Sequence, residues 1–126
     1  MDGNFPTRGQ VERNLSQRIQ ALYRAQLEHQ PSKVVCQIFD DKIAIILEDS
    51  ITQPEKLLVS SGNEELAENV HSELEETLQP QIKALIEEVM GVSVVDMLND
   101  STLETGRTAT IAVLANRPQL RNLESR

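Results

Sequence analysis

The 126-residue chain has no tryptophan, one tyrosine and two phenylalanines, so any core it builds is aliphatic. Its single cysteine, Cys36, excludes an internal disulfide framework. No apolar run reaches the roughly 18 residues that a membrane-crossing helix needs. The opening MDGNFPTRGQ lacks the apolar stretch of a signal peptide. A cytoplasmic protein is therefore expected, with no direct membrane insertion. Bases are scarce: 12 Lys and Arg face 20 Asp and Glu, a formal charge of -8. Nucleic-acid binding needs cationic side chains to neutralise phosphates, and anionic lipid needs the same, so both are disfavoured. No G-x-G-x-x-G or Walker A loop is present to cradle a phosphate. His29 and His71 have no Cys or His at metal-ligand spacing. No cofactor or metal is expected, and both histidines read as surface residues.

What is present is hydrophobic periodicity. Residues 1–9 read as a flexible lead, followed by a single α+β domain over 10–115 and a short helix or tail over 116–126. Val11, Leu15, Ile19 and Leu22 mark an amphipathic helix over about 10–28, which Pro31 ends. In KVVCQIFDDKIAIILED, Val34, Cys36 and Ile38 share one face of a strand, and Ile43, Ile45 and Leu47 share one face of a second. Asp40 and Asp41 supply turn chemistry between them. Thr52 and Glu55 have capping-box spacing around a short helix that stops at Gly62. Leu66, Val70, Leu74, Leu78 and Ile82 form the stripe of a longer helix. Pro80 predicts a break or kink near Gln79, after which Ile82, Leu85, Ile86 and Val89 take over. Val92 and Val94 open a third strand, and Thr108, Thr110, Ala112 and Leu114 line a fourth. Asn116 is placed to cap a last short helix that includes Leu120 and Leu123.

The order α-β-β-α-α-β-β-α predicts an α+β two-layer sandwich, a mainly antiparallel four-stranded sheet with helices on one face. Several strands are apolar on both sides, Val35, Phe39, Ala44 and Ile46 completing the second side. An open apolar sheet face calls for a partner, and a homodimer is the economical solution.

Catalytic constellations are weak. Cys36 alternates with core residues, the setting of a buried thiol. Asp40, Asp41, Glu48 and Asp49 are simplest as residues at the hairpin ends, the alternative being a carboxylate cluster. The acidic stretch from Glu64 to Glu88 reads as a solvated helix face, able to meet the arginines near both ends of the chain. NDSTLETGR (99–107) reads as a connecting loop. Gly106 permits positive φ, and Arg107 is placed to lock the loop through Asp100 and Glu104 or to take a partner's carboxylate. Asp100, Glu104, Thr105, Gly106 and Arg107 are thus the candidate partner-binding or loop-locking residues, and the protein is expected not to be an enzyme.

The pieces FDDKIAIILED (39–49), ITQPEKLL (51–58), EEVMGVSVVDMLNDST (87–102) and ETGRTATIAVL (104–114) resemble the MpsC-type family of small bacterial proteins. The most specific piece is Thr105-Gly106-Arg107. The family takes its name from a sodium-translocating system that generates membrane potential. The resemblance implies a soluble regulatory component of a sodium-linked or inorganic-carbon transport system. A narrower likeness, to small carboxysome assembly chaperones of cyanobacteria, implies a non-enzymatic dimeric adaptor. Its ligand would be a flexible terminal peptide, the C-terminal extension of a carboxysome shell protein.

Overall fold

A computed structural model describes residues 5–121. In chain order the elements are α1 (Arg8–Leu27), β1 (Lys33–Phe39), β2 (Lys42–Glu48), α2 (Gln53–Ser60), α3 (Glu64–Met90), β3 (Val94–Thr102) and β4 (Arg107–Leu114). The strands form one antiparallel sheet in the order β1-β2-β4-β3, so β1 and β3 are its edges. The expected α+β architecture, with helices on one face, is what the chain adopts.

Local chemistry accounts for the boundaries. Thr7 and Gln10 form a reciprocal capping box: Gln10 N–H donates to Thr7 Oγ1 at 3.1 Å and Thr7 N–H to Gln10 Oε1 at 2.8 Å. Helix α1 therefore starts at Arg8, inside the expected flexible lead; residues 1–4 lie outside the described residues. Asp40 turns the β1–β2 hairpin at a φ of 61°, a left-handed conformation that Asp tolerates better than most residues.

Helix α3 departs from expectation. It runs unbroken through Pro80 from Glu64 to Met90. Proline deletes one hydrogen bond, to the carbonyl of Glu76. Pro80 and Glu76 are both exposed, so water can take that acceptor and the helix need not end. Its inward stripe also differs. The buried residues are Ala67, His71, Glu75, Leu78, Ile82, Ile86 and Met90. Leu66 is exposed, and Val70 and Leu74 are half-buried.

The last helix expected from Asn116 does not form among the described residues. Pro118 supplies no N–H and disfavours helical geometry at Arg117. The segment instead runs back to the start of α1, where Arg121 N–H donates to Pro6 C=O at 2.7 Å. Leu123 lies outside the described residues.

The apolar core joins Val11, Leu15, Ile19 and Tyr23 of α1 to Leu78, Ile82, Ile86 and Met90 of α3. Beneath them lie Cys36, Ile38, Ile43, Ile45, Leu47, Ala112 and Leu114 of the sheet. Among the described residues no helix lies on the opposite sheet face. Across it run the rows Val35–Ile46–Ala109–Asp100 and Gln37–Ala44–Ile111–Leu98, ending on Phe39 and Lys42. Phe39 is 48 % exposed and Leu98 58 %.

Candidate functional site: a polar cleft between α3 and β3

Toward the β3 edge the layer between helices and sheet becomes polar. Ser50, Thr52, Glu55, His71, Glu75, Thr108 and Thr110 are all buried. On the sheet, Ser50 Oγ meets Thr108 Oγ1 at 2.8 Å, and Thr108 Oγ1 meets Ser101 Oγ at 2.8 Å. Asn99 Nδ2 donates to Thr110 Oγ1 at 2.7 Å. Above it, Glu55 Oε1 accepts from Thr52 N–H at 3.0 Å and from the Thr52 hydroxyl at 2.7 Å. Glu55 Oε2 lies 2.6 Å from His71 Nδ1. One turn further along α3, Glu75 Oε2 accepts from Tyr23 O–H at 3.0 Å. His71 and Glu75 can share this layer because residues four apart stack on one helix face.

Burial opposes charge on both Glu55 and His71, but their mutual hydrogen bond and attraction outweigh it. The Glu55 carboxyl sits below its usual value, helped by Thr52, and the His71 imidazole sits above its own. The two form a buried ion pair, with His71 donating from Nδ1. Burial raises the Glu75 carboxyl, and Tyr23 is raised by burial and by Glu75.

A pH dependence follows. The contribution of His71 is complete below its ordinary value of 6.5 and drains away as pH rises through the raised folded value. Glu75, also raised, acts in the same direction from 4.5 upward. Glu55, lowered, contributes fully above 4.5 and is lost only as pH falls through its folded value. The melting temperature is expected to be highest at roughly pH 5–6 and to decline toward pH 9. His71→Gln should flatten that alkaline decline in a thermal-shift series; an unchanged slope would mean that His71 does not carry it.

Beside this network lies a solvent-open cleft. Its main cavity, about 820 Å³, is walled by α3 on one side and by the inner side of β3 and the β3–β4 turn on the other. Five glutamates line it, Glu64, Glu68, Glu75, Glu76 and Glu104, Asp100 contributes from a position whose side chain alternates onto the open sheet face, and none of the lining residues is Lys or Arg. The cleft continues along α3 into a second hollow of about 540 Å³, lined by Gln79, Pro80, Lys83, Val94, Val95 and Met97 among others. Among the described residues no group of three His, Cys, Asp or Glu side chains converges as a metal site.

The residues singled out from NDSTLETGR separate. The first part of the insert is strand, since β3 continues to Thr102 and β4 begins at Arg107, leaving a tight turn at 103–106. Asp100 and Glu104 line the cavity. Thr105 and Thr102 join hydroxyls across the turn. Gly106 has a φ of 77°, and its carbonyl accepts from Ser50 N–H at 2.9 Å and from Ser50 Oγ at 3.0 Å. Arg107 pairs with neither Asp100 nor Glu104. Its Nε donates to both carboxylate oxygens of Glu48 on the adjacent strand, at 2.9 and 3.1 Å, on the open sheet face. It ties β2 to β4 rather than closing the turn on itself.

The other candidates also resolve. Asp41 pairs with Lys42 at 2.7 Å, Asp49 with Lys56 at 3.2 Å, and Asp40 with Arg117. Asp40 and Asp41 lie at the end of the sheet opposite to Glu48 and Arg107, so these carboxylates make no cluster. Burial pushes the Cys36 thiol up to about 11, which keeps it a core group rather than a nucleophile. Arg18 does reach the acidic stretch, at 3.1 Å from Glu88. The expected surface histidine at 71 and the expected solvated carboxylate at 75 are instead buried. The sequence signal for them was their spacing three and seven residues before Leu78, which puts them on the face of Leu78 and Ile82 rather than on that of Leu66.

No described helix is long and apolar enough to cross a membrane. No curated protein and no solved structure matches the chain. A family model described as "Na+-translocating membrane potential-generating system (MpsC)" matches residues 7–116, and by that match the chain belongs to the MpsC family.

Proposed function

We propose that the protein is a non-enzymatic, homodimeric adaptor that holds a flexible terminal segment of a larger protein. The observation that carries this reading is the sheet face left open in the single chain. Val35, Phe39, Ala44, Ile46, Ile111 and Leu98 form a contiguous apolar surface there, of the kind that monomers seldom leave bare. A second copy packing sheet on sheet covers it and supplies the aliphatic interior that the missing aromatics leave thin. The cleft beside β3 stays outside that contact and is free for a partner.

On the narrower likeness to carboxysome assembly chaperones, the held segment is the C-terminal extension of a shell protein. A second reading, favoured by the family's description, makes the chain a soluble component of a sodium-translocating membrane system. Two measurements separate these. Sedimentation velocity should show a dimer for the native chain and a monomer for the Val35→Lys, Phe39→Lys double variant. Both side chains are at least 40 % exposed, so the fold should tolerate the change. A monomeric native chain would overturn the dimer. Affinity purification from native cells should then recover a shell protein, and recovery should cease when that protein's terminal extension is deleted. Recovery of a transport subunit in its place would overturn the chaperone reading and establish the second.

A further inference from the structure

Three buried polar atoms without a hydrogen-bond partner are spaced one turn apart on α3: His71 Nε2, Glu75 Oε1 and Gln79 Nε2. All three residues line the same cavity. Glu75 is 7 % exposed and His71 8 %, so both residues are more than nine-tenths buried at the floor of that cavity. Buried polar groups are nearly always paired, and three orphans on one wall of one cavity mark a site whose ligand provides the partners.

Their chemistry specifies what that ligand offers. Because His71 Nδ1 faces the Glu55 carboxylate, Nε2 points away from that pair, and in the imidazolium form that Glu55 favours it is a donor. Gln79 Nε2 is a donor as well. Glu75 Oε1 is an acceptor beside the Asn99 amide, its other oxygen being held by Tyr23. The ligand must therefore supply an acceptor, a donor and an acceptor, in that order along the helix. The four remaining glutamates of the wall, uncompensated by any lining Lys or Arg, require the donor to carry positive charge. His71 divides its charge between Glu55 and Glu75, so the demand comes chiefly from the other acidic side chains of the wall, Glu64, Glu68, Glu76 and Glu104. A free polyamine offers donors alone and leaves both His71 and Gln79 unpaired. A peptide offers backbone carbonyls on either side of a cationic side chain.

Spacing agrees. From residue 71 to 79 the helix rises by about 12 Å. An extended chain covers that distance in about four residues. The opposite wall is β3, an edge strand able to take a further strand alongside. Beyond Gln79 the cleft turns apolar at Pro80, Val94 and Met97.

We infer that the α3–β3 cleft is the docking groove for an extended segment of a partner protein, with a Lys or Arg side chain received at Glu75, backbone carbonyls at His71 and Gln79, and apolar side chains over Val94 and Met97. This deepens the adaptor reading and rests on it for the identity of the segment's owner. It does not depend on the dimer.

The test uses the isolated chain, 15N-labelled, with N-acetyl-arginine amide as the probe and the neutral isostere N-acetyl-citrulline amide beside it. The arginine probe should shift amide resonances around His71, Glu75, Asn99 and Asp100 saturably. The citrulline probe should bind at least tenfold more weakly. Glu75→Gln keeps the shape and an acceptor for Tyr23, and should also weaken binding about tenfold; Glu68→Gln, on the exposed part of the wall, checks the charge requirement without touching the buried network. The Val35→Lys, Phe39→Lys variant should bind as the native chain does. Equal shifts with citrulline, or arginine shifts spread over the acidic surface and indifferent to Glu75→Gln, overturn the site. Spermidine binding far more tightly at the same residues overturns the peptide as occupant. If the groove binds arginine while no terminal extension is needed for capture in cells, the adaptor reading falls and the site stands; the reverse pattern sinks the site alone.

Discussion

Replacing Glu55 by alanine is expected to cost about 3–5 kcal/mol of folding stability, the loss typical of breaking a buried ion pair from one side. The residue is 1 % exposed and has three donors on its carboxylate: Thr52 N–H, the Thr52 hydroxyl and His71 Nδ1–H. Truncation leaves each without a partner in a layer that water does not reach, and it removes the cap of α2 as well. Glu55→Gln should cost less. Its amide keeps an acceptor for Thr52, and His71 can shed its proton when the countercharge is gone. The ordering Ala worse than Gln, read from urea denaturation midpoints at about pH 6, tests the assignment. Two equal, small losses below about 1 kcal/mol would show that the pair is not structural.

Ile43→Ala is expected to destabilise by about 2–4 kcal/mol, the range for deleting a fully buried aliphatic side chain. Ile43 is completely buried at the centre of the core, between Ile38 and Ala112 on the neighbouring strands. Val35→Ala, on the opposite face of the same sheet, should cost under about 1 kcal/mol in the separated chain, because Val35 is already 40 % exposed. In the dimer the contrast narrows. Stability then depends on protein concentration, and Val35→Ala acts through association. Unfolding both variants at two concentrations distinguishes core from interface. A Val35→Ala effect that is large and independent of concentration would mean that the face is buried within one chain.

How much of this was legible depends on whether a segment's pattern is set by its own chemistry or by distant partners. The hairpin of β1 and β2 was legible because β-branched residues alternate and Asp40-Asp41 can only turn. The start of α2 was legible because a capping box is a local device. Helix α3 misled in its first half, where Leu66, Val70 and Leu74 suggested the inner face. Ala67, His71 and Glu75, each one position later and thus about 100° round the helix, are the buried ones. Apolar periodicity finds the face that meets an apolar layer, and here the layer is polar. The same cause hid the end of β3. Asn99 and Ser101 look like loop residues until Thr110 and Thr108 are placed opposite them. Arg107 was read as locking its own loop through Asp100 and Glu104, whereas it pairs with Glu48, which only strand pairing brings beside it. The cleft itself, built from α3, β3 and the turn between β3 and β4, has no local sequence signature at all.

Tyr23 gives the cleft a spectroscopic voice. With no tryptophan in the chain and no second tyrosine, all ultraviolet emission above the phenylalanine region comes from one phenol. That phenol donates its proton to Glu75, a carboxylate that quenches tyrosine when it acts as acceptor. If the proposed groove receives a cation at the other oxygen of Glu75, the Tyr23 hydrogen bond should weaken and the emission should rise. Titrating the arginine probe against tyrosine emission would then report the groove without a label, from a phenol that is itself 1 % exposed.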